Sequence, residues 1–125
     1  MYINPSNQTR LYGHEDHINS LLKLHKRNHF PNKILFSGEK GIGKSTMAYH
    51  LINYILSQDE DYSYELDDLK INSENRSFKL IQNKSNQNFI LIDVIDEKKN
   101  IDINQIRNLI LTLNKSSFNS KPRFV

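Results

Sequence analysis

The chain has no cysteine, which excludes a disulfide framework and a thiolate zinc site. It has no apolar run long enough to span a membrane, and its N-terminus lacks the apolar core of a signal peptide. A cytoplasmic location with no membrane partner is therefore the expectation. Hydrophobic residues make up only 37% of the 125 positions, low for a self-sufficient core, and the length suits one domain or part of one. No block of like charge is present. The formal charge is +3 and the basic excess is dispersed, which does not separate a nucleic-acid binder from an ordinary soluble surface. Glycine is scarce, at four residues, and three of them are Gly38, Gly41 and Gly43.

Those three glycines belong to Gly38-Glu39-Lys40-Gly41-Ile42-Gly43-Lys44-Ser45, the complete G-x-x-x-x-G-K-[ST] phosphate-loop pattern. The flanks suit it. Lys33-Ile34-Leu35-Phe36-Ser37 reads as a short buried strand leading in, and Thr46 to Leu56 as an amphipathic helix leading out. A strand, a glycine turn and a helix N-terminus together form an anion site, because the backbone N–H groups can all face one ligand. The pattern places the Lys44 ammonium on the β- and γ-phosphates of a nucleotide and the Ser45 hydroxyl on its Mg²⁺. The expected contact set is Gly38, Glu39, Lys40, Gly41, Ile42, Gly43, Lys44, Ser45 and Thr46, with ATP and Mg²⁺ as cofactors.

Other segments fill in an architecture. Glu15 to Arg27 reads as a helix with Ile18, Leu21, Leu22 and His25 on one face. The helix after the loop is expected to bury a stripe of Met47, Ala48, Leu51, Ile52 and Ile55. Residues 58–88 are acidic at Asp59-Glu60-Asp61 and then polar. They read as a surface insertion of marginal order, with Tyr62, Tyr64, Phe78, Leu80 and Ile81 able to support a short helix or hairpin. Phe89 to Val94 reads as a buried parallel strand. Ile103 to Leu113 reads as a helix capped by Asp102, with Ile103, Ile106, Leu109, Ile110 and Leu113 inward. Arg123-Phe124-Val125 reads as the opening of another strand. Strands alternating with helices imply an α/β fold with a parallel sheet.

At this point the residues carry a resemblance. Leu11-Tyr12-Gly13-His14 followed by a helix, then Phe30 to Gly38, then Gly41 to Thr46, resembles the clamp-loader AAA+ ATPases of bacterial DNA polymerase III, in particular the delta-prime subunits. Ile101 to Leu109, with its Gln105-Ile106-Arg107, is similar to that family's stretch before the Walker B strand, and Lys121 to Val125 to the start of that strand. The lack of cysteine departs from the zinc-module subunits and points away from tau/gamma. Asn86-Gln87-Asn88 replaces a frequent His-Pro-Asp, and Asn104 a usual acid. The resemblance implies a three-layer P-loop NTPase fold incomplete at the C-terminus, with residues 1–125 as the N-terminal part. The Walker B acids, sensors, trans-acting arginine and helical lid would then lie beyond Val125. It also implies, in that family's strand order, that the strand at 33–37 has both of its neighbours beyond Val125. The leading helix's hydrophobic-Gly-His box would pack near the adenine. Implied partners are the other loader subunits, the sliding clamp and, through the assembly, primed DNA. Turnover by these residues alone is not expected. A nucleotide-binding stator without turnover is one alternative, and an unrelated P-loop ATPase, such as a helicase loader or small-substrate kinase, is another.

Several single features compete with this reading. Asp93 at the end of Ile90-Leu91-Ile92-Asp93 is an alternative Walker B acid, although Val94 stands where a second acid is usual. His14 and His17 have metal-type spacing but no further ligand cluster nearby, so a solvated helix start is the simpler reading. His25 and His29 carry no motif. Lys23, Lys26 and Arg27 suit a solvated helix end and, alternatively, DNA phosphates. Tyr62 and Tyr64 read as local cover, and Asp59 to Asp61 as a solvated stretch.

Overall fold

The computed structural model describes residues 4–125; the irregular reading of residues 1–3 lies outside them. The described chain has a short 3-10 helix (Pro5–Asn7) and four α-helices: α1 (Glu15–Lys26), α2 (Lys44–Leu56), α3 (Arg76–Gln82) and α4 (Ile103–Leu113). It divides into two compact units, Met1–Lys84 and Ser85–Val125.

The expected three-layer α/β fold with a parallel sheet is not what forms. Among the described residues there is no strand, only three isolated bridges: Arg10 with Lys70, Glu65 with Lys70, and Phe89 with Phe124. Residues 33–37 make no backbone hydrogen bond to another described segment, and Leu35 is 89% exposed. The run from Phe89 to Val94 gains a single parallel bridge, through Ile90 N–H to Phe124 O (2.9 Å) and Phe124 N–H to Asn88 O (2.7 Å). Leu91 and Val94 are exposed. The physical reason is that an apolar run has only a tendency to be a strand. A strand exists through a partner that satisfies its N–H and C=O groups, and neither run finds a ladder.

The first unit is organised around α2. The expected one-sided stripe is instead burial on all sides, since every residue from His50 to Ser57 is buried. What surrounds the helix is the N-terminal segment, α1, and residues 58–84, the greater part of the 58–88 stretch expected to be marginally ordered, where the short helix that Phe78, Leu80 and Ile81 were expected to be able to support forms as α3. From that segment Tyr64, Leu69, Ile71, Asn75 and Ser77 are all buried. α1 contributes Ile18 and Leu22.

An all-round buried helix that carries His50, Asn53 and Ser57 must satisfy them internally. Asn53 and Asn75 form a reciprocal amide pair, with Asn75 Nδ2 donating to Asn53 Oδ1 (2.9 Å) and Asn53 Nδ2 donating to Asn75 Oδ1 (3.1 Å). The same Asn75 oxygen accepts Phe78 N–H (2.8 Å) and so caps α3. Ser57 Oγ accepts Tyr64 N–H (3.1 Å). His50 sits between Tyr64 Oη at Nδ1 (2.8 Å) and Gln8 O at Nε2 (2.9 Å). A carbonyl can only accept, so Nε2 carries the proton and Nδ1 accepts from the tyrosine. Glu60, expected to be solvated, accepts Ser77 N–H (2.8 Å) and the Ser77 hydroxyl in the first turn of α3, where the helix end favours a carboxylate. Antiparallel backbone bonds, Leu11 N–H to Leu69 O (3.0 Å) and Ile71 N–H to Thr9 O (2.7 Å), tie the N-terminal segment to the 69–71 turn.

In the second unit Asp102 caps α4 as expected. Its carboxylate accepts Asn104 N–H (3.0 Å), and Gln105 Oε1 accepts Asp102 N–H (2.9 Å), a capping box. The hydrogen bond from Asn104 and then the nearby Lys98 ammonium hold the Asp102 carboxyl below its ordinary pKa. Arg123 donates to the last-turn carbonyls Leu113 O (2.9 Å) and Thr112 O (3.4 Å), and to Lys115 O (3.1 Å). The face expected to point inward does not: α4 has no buried residue, and Ile103 is 62% exposed. An amphipathic stripe states a demand for burial, and no second helix of this unit meets it.

Two outcomes follow from the packing of α2. Burial lowers the His50 pKa from its ordinary 6.5, partly offset by the hydrogen bond to Gln8. The unfolded chain then takes up the proton first, so the stabilisation is complete above pH 6.5 and is lost as pH falls below it. Urea unfolding of the chain between pH 8 and 5 should give midpoints that decline on the acid side, and His50→Gln should be weaker at pH 8 with a flatter acid decline. A wild-type midpoint independent of pH would contradict the buried neutral imidazole. Separately, Asn53→Ala strands the Asn75 amide nitrogen and should cost about 1–3 kcal/mol, measurable by the same unfolding at pH 8.

Candidate functional site

The segment 38–46 forms a turn that feeds directly into α2. Gly41 (φ 85°) and Gly43 (φ 98°) both adopt the left-handed region, which side-chain-bearing residues enter only with strain. Between them Ile42 N–H reaches Glu39 O at 3.4 Å. Gly43 is the N-cap of α2 and offers no side-chain oxygen. The first helical bond runs from Met47 N–H to Gly43 O (3.0 Å). The N–H groups of Gly43, Lys44, Ser45 and Thr46 therefore have no protein acceptor among the described residues, as the first turn of an uncapped helix requires.

Lys44 folds back over the turn. Its ammonium donates to Gly38 O (2.7 Å) and Glu39 O (2.8 Å). The ammonium is thus held within the same 38–46 turn by carbonyls that a stronger acceptor can replace. Glu39, Lys40 and Ser45 are exposed, while Thr46 is half-buried. The side chains expected to meet a ligand are thus accessible at one end of one helix.

One side chain from outside the segment meets the turn. His14 Nε2 bonds Ile42 O, and its ring lies against Gly43, where a Cβ would stand 3.4 Å from Nε2. The box that contains His14 also borders an open cavity of about 320 Å³, lined by Arg10, Tyr12, Gly13, Glu15, Asn19 and the 66–69 turn. The Arg10 guanidinium stacks over the Tyr12 ring at 5.5 Å.

The remaining candidates lie elsewhere or do other things. Asp93 is in the second unit, where its carboxylate accepts Val94 N–H (2.7 Å) and its carbonyl accepts from Gln105 (2.7 Å). His14 and His17 stack at 5.9 Å, and the described residues contain no group of three or more potential metal ligands. His25 packs edge-on against Phe30. Lys23, Lys26 and Arg27 are exposed. Tyr62 is exposed, whereas Tyr64 is buried against His50, and burial raises its hydroxyl pKa well above the ordinary value. Sequence reasoning passed over His50, Asn53 and Asn75. The signal available was a polar residue repeatedly interrupting the apolar positions of α2 at helical spacing. The His14 contact with the turn could not be read from spacing, because it joins residues 28 apart.

With this geometry in hand, comparison with known families gives one match. The family model described as DNA polymerase III, delta subunit, matches residues 13–125, and the chain belongs to that family. The family is one of clamp-loader subunits of the replicative polymerase, which gives the chain a place in DNA replication. No curated protein and no solved structure matched. Among the described residues no helix is long and apolar enough to cross a membrane.

The turn makes a direct demand on Gly43. Gly43→Ala places a Cβ in the left-handed region against His14, and should lower the stability of the chain by about 1–2 kcal/mol. A urea midpoint equal to wild type would mean that the turn relaxes without cost.

Proposed function

We propose that the chain is a delta-prime-type subunit of the clamp loader, which binds ATP with Mg²⁺ through residues 38–46 and takes part, with the other loader subunits, in placing the sliding clamp on primed DNA in the cytoplasm. The observation that carries this is the set of four N–H groups, Gly43 to Thr46, that find no acceptor among the described residues at the mouth of α2, with the Lys44 ammonium held in the same turn by Gly38 O and Glu39 O. Phosphate oxygens are the acceptors that such a group favours, and the helix dipole adds to the attraction. On binding, Lys44 exchanges two loop carbonyls for charged phosphate oxygens. Ser45 is accessible to hold the metal that the nucleotide brings. The Leu11–His14 box, which the family resemblance puts near the adenine, contributes Leu11, Tyr12 and Gly13 to the lining of a cavity of about 320 Å³. In a loader subunit of this kind the bound nucleotide holds the assembly in a clamp-binding shape.

Titration of the chain with ATP and Mg²⁺ by calorimetry tests this. Lys44→Ala removes a charge-assisted contact of about 1.5–3 kcal/mol, so affinity should fall roughly tenfold or more. Equal affinity for wild type and variant would sink the assignment. Binding without turnover in the assembled loader would identify the stator form.

A further inference from the structure

His14 stands out as a residue held in a costly conformation. It is the N-cap of α1 but adopts the left-handed region (φ 60°, ψ 17°) and makes no side-chain cap bond. The usual N-cap residues spend a side-chain oxygen on the first-turn N–H groups. His14 spends its imidazole on the 38–46 turn instead, through Nε2 to Ile42 O. Its backbone carbonyl still accepts Ile18 N–H (3.0 Å), so the residue is fixed to a buried turn of α1.

The consequence falls on one peptide plane. No cis peptide is present among the described residues, and in a trans peptide the C=O and N–H point to opposite sides. Holding Ile42 O toward His14 therefore turns the Gly43 N–H away from His14, to the side where it has no acceptor among the described residues. Without that tether the plane is free to turn over by changes at ψ of Ile42 and φ of Gly43, and a glycine accepts either sign of φ at little cost. The ring also lies against Gly43, with Nε2 3.4 Å and Cδ2 3.6 Å from where a Cβ would be, so the imidazole meets the turn at this residue as well as at the Ile42 carbonyl.

We propose that His14 is a positioning residue for the phosphate turn: its Nε2–H locks the Ile42–Gly43 peptide so that the Gly43 N–H is presented to phosphate. The proposal rests on the nucleotide reading of the same turn. The ring acts through its Nε2 hydrogen bond, and the role does not require a charge on it.

The test uses three variants of the chain and ATP with Mg²⁺ as the probe. A Gln side-chain amide nitrogen reaches about as far as Nε2 of His, and that of Asn only as far as Nδ1. His14→Ala and His14→Asn should each weaken binding about fivefold, because the free turn loses a bias toward the presenting orientation worth about one neutral hydrogen bond, and His14→Gln should recover most of it. The amide resonance of Gly43 should shift in the Ala and Asn variants and return in Gln. Lys44-dependent binding that is indifferent to all three variants overturns this inference and leaves the nucleotide reading standing. A Gln variant that folds but binds as weakly as Ala also overturns it. Binding indifferent to Lys44 removes the nucleotide reading and this inference together.

Discussion

Burying α2 on every side is the constraint from which the rest of the first unit follows. A helix with one polar face can leave it in water, but α2 has no such face from His50 onward. Its imidazole, amide and hydroxyl groups need partners from outside the helix, and each partner fixes a different part of the chain. Asn75 starts α3, Tyr64 anchors the early part of the 58–84 segment, and Gln8 holds the N-terminal segment. No buried side-chain nitrogen or oxygen among the described residues lacks a hydrogen bond. A half-satisfied version of this network would be worse than an apolar core, because each orphaned group costs more than a completed bond returns.

The site sits at the other end of the same helix, and its character is the opposite. At Gly43 to Thr46 the backbone donors are open, and Lys44 is satisfied only by exposed loop carbonyls. A rigid buried half and an exposed terminal turn on one rod is a useful division for a binding site. The scaffold bears the cost of order, while the exposed turn retains groups that a ligand can complete.

What the sequence made legible was local. The α1, α2 and α4 spans came from periodicity, the Asp102 cap from a residue type in the right place, and the glycine turn from a pattern whose conformational demands show up at Gly41 and Gly43. What it did not make legible was partnership. Leu35 and Leu91 belong to runs apolar enough for a buried strand, yet they are exposed because pairing is a property of two segments, and only for the 33–37 run did the family's strand order imply missing neighbours. Ile103 and Ile110 lie on the helix face expected to be buried, yet both are more than half exposed. The error at 58–84 ran the other way. A segment full of Asn, Ser and acids looks unable to order, but Glu60, Asn75 and Ser77 turn that polarity into caps and paired amides. Composition counts polar groups without saying whether they face water or one another.

The buried polar face also determines how the site is aimed. Hydrophobic packing is non-directional, so an all-apolar α2 could rotate or slide by a turn at small cost. His50, Asn53 and Ser57 lie at spacings of three and four, on one side of the helix, and their hydrogen bonds do not survive rotation by one residue. Thr46 precedes His50 by four and shares that side. The phase of α2 at its buried end thus sets the direction in which Lys44 and Ser45 leave the helix at its open end. A pair of amides beside α3, with no contact to the turn, is in this sense part of the geometry that the turn presents.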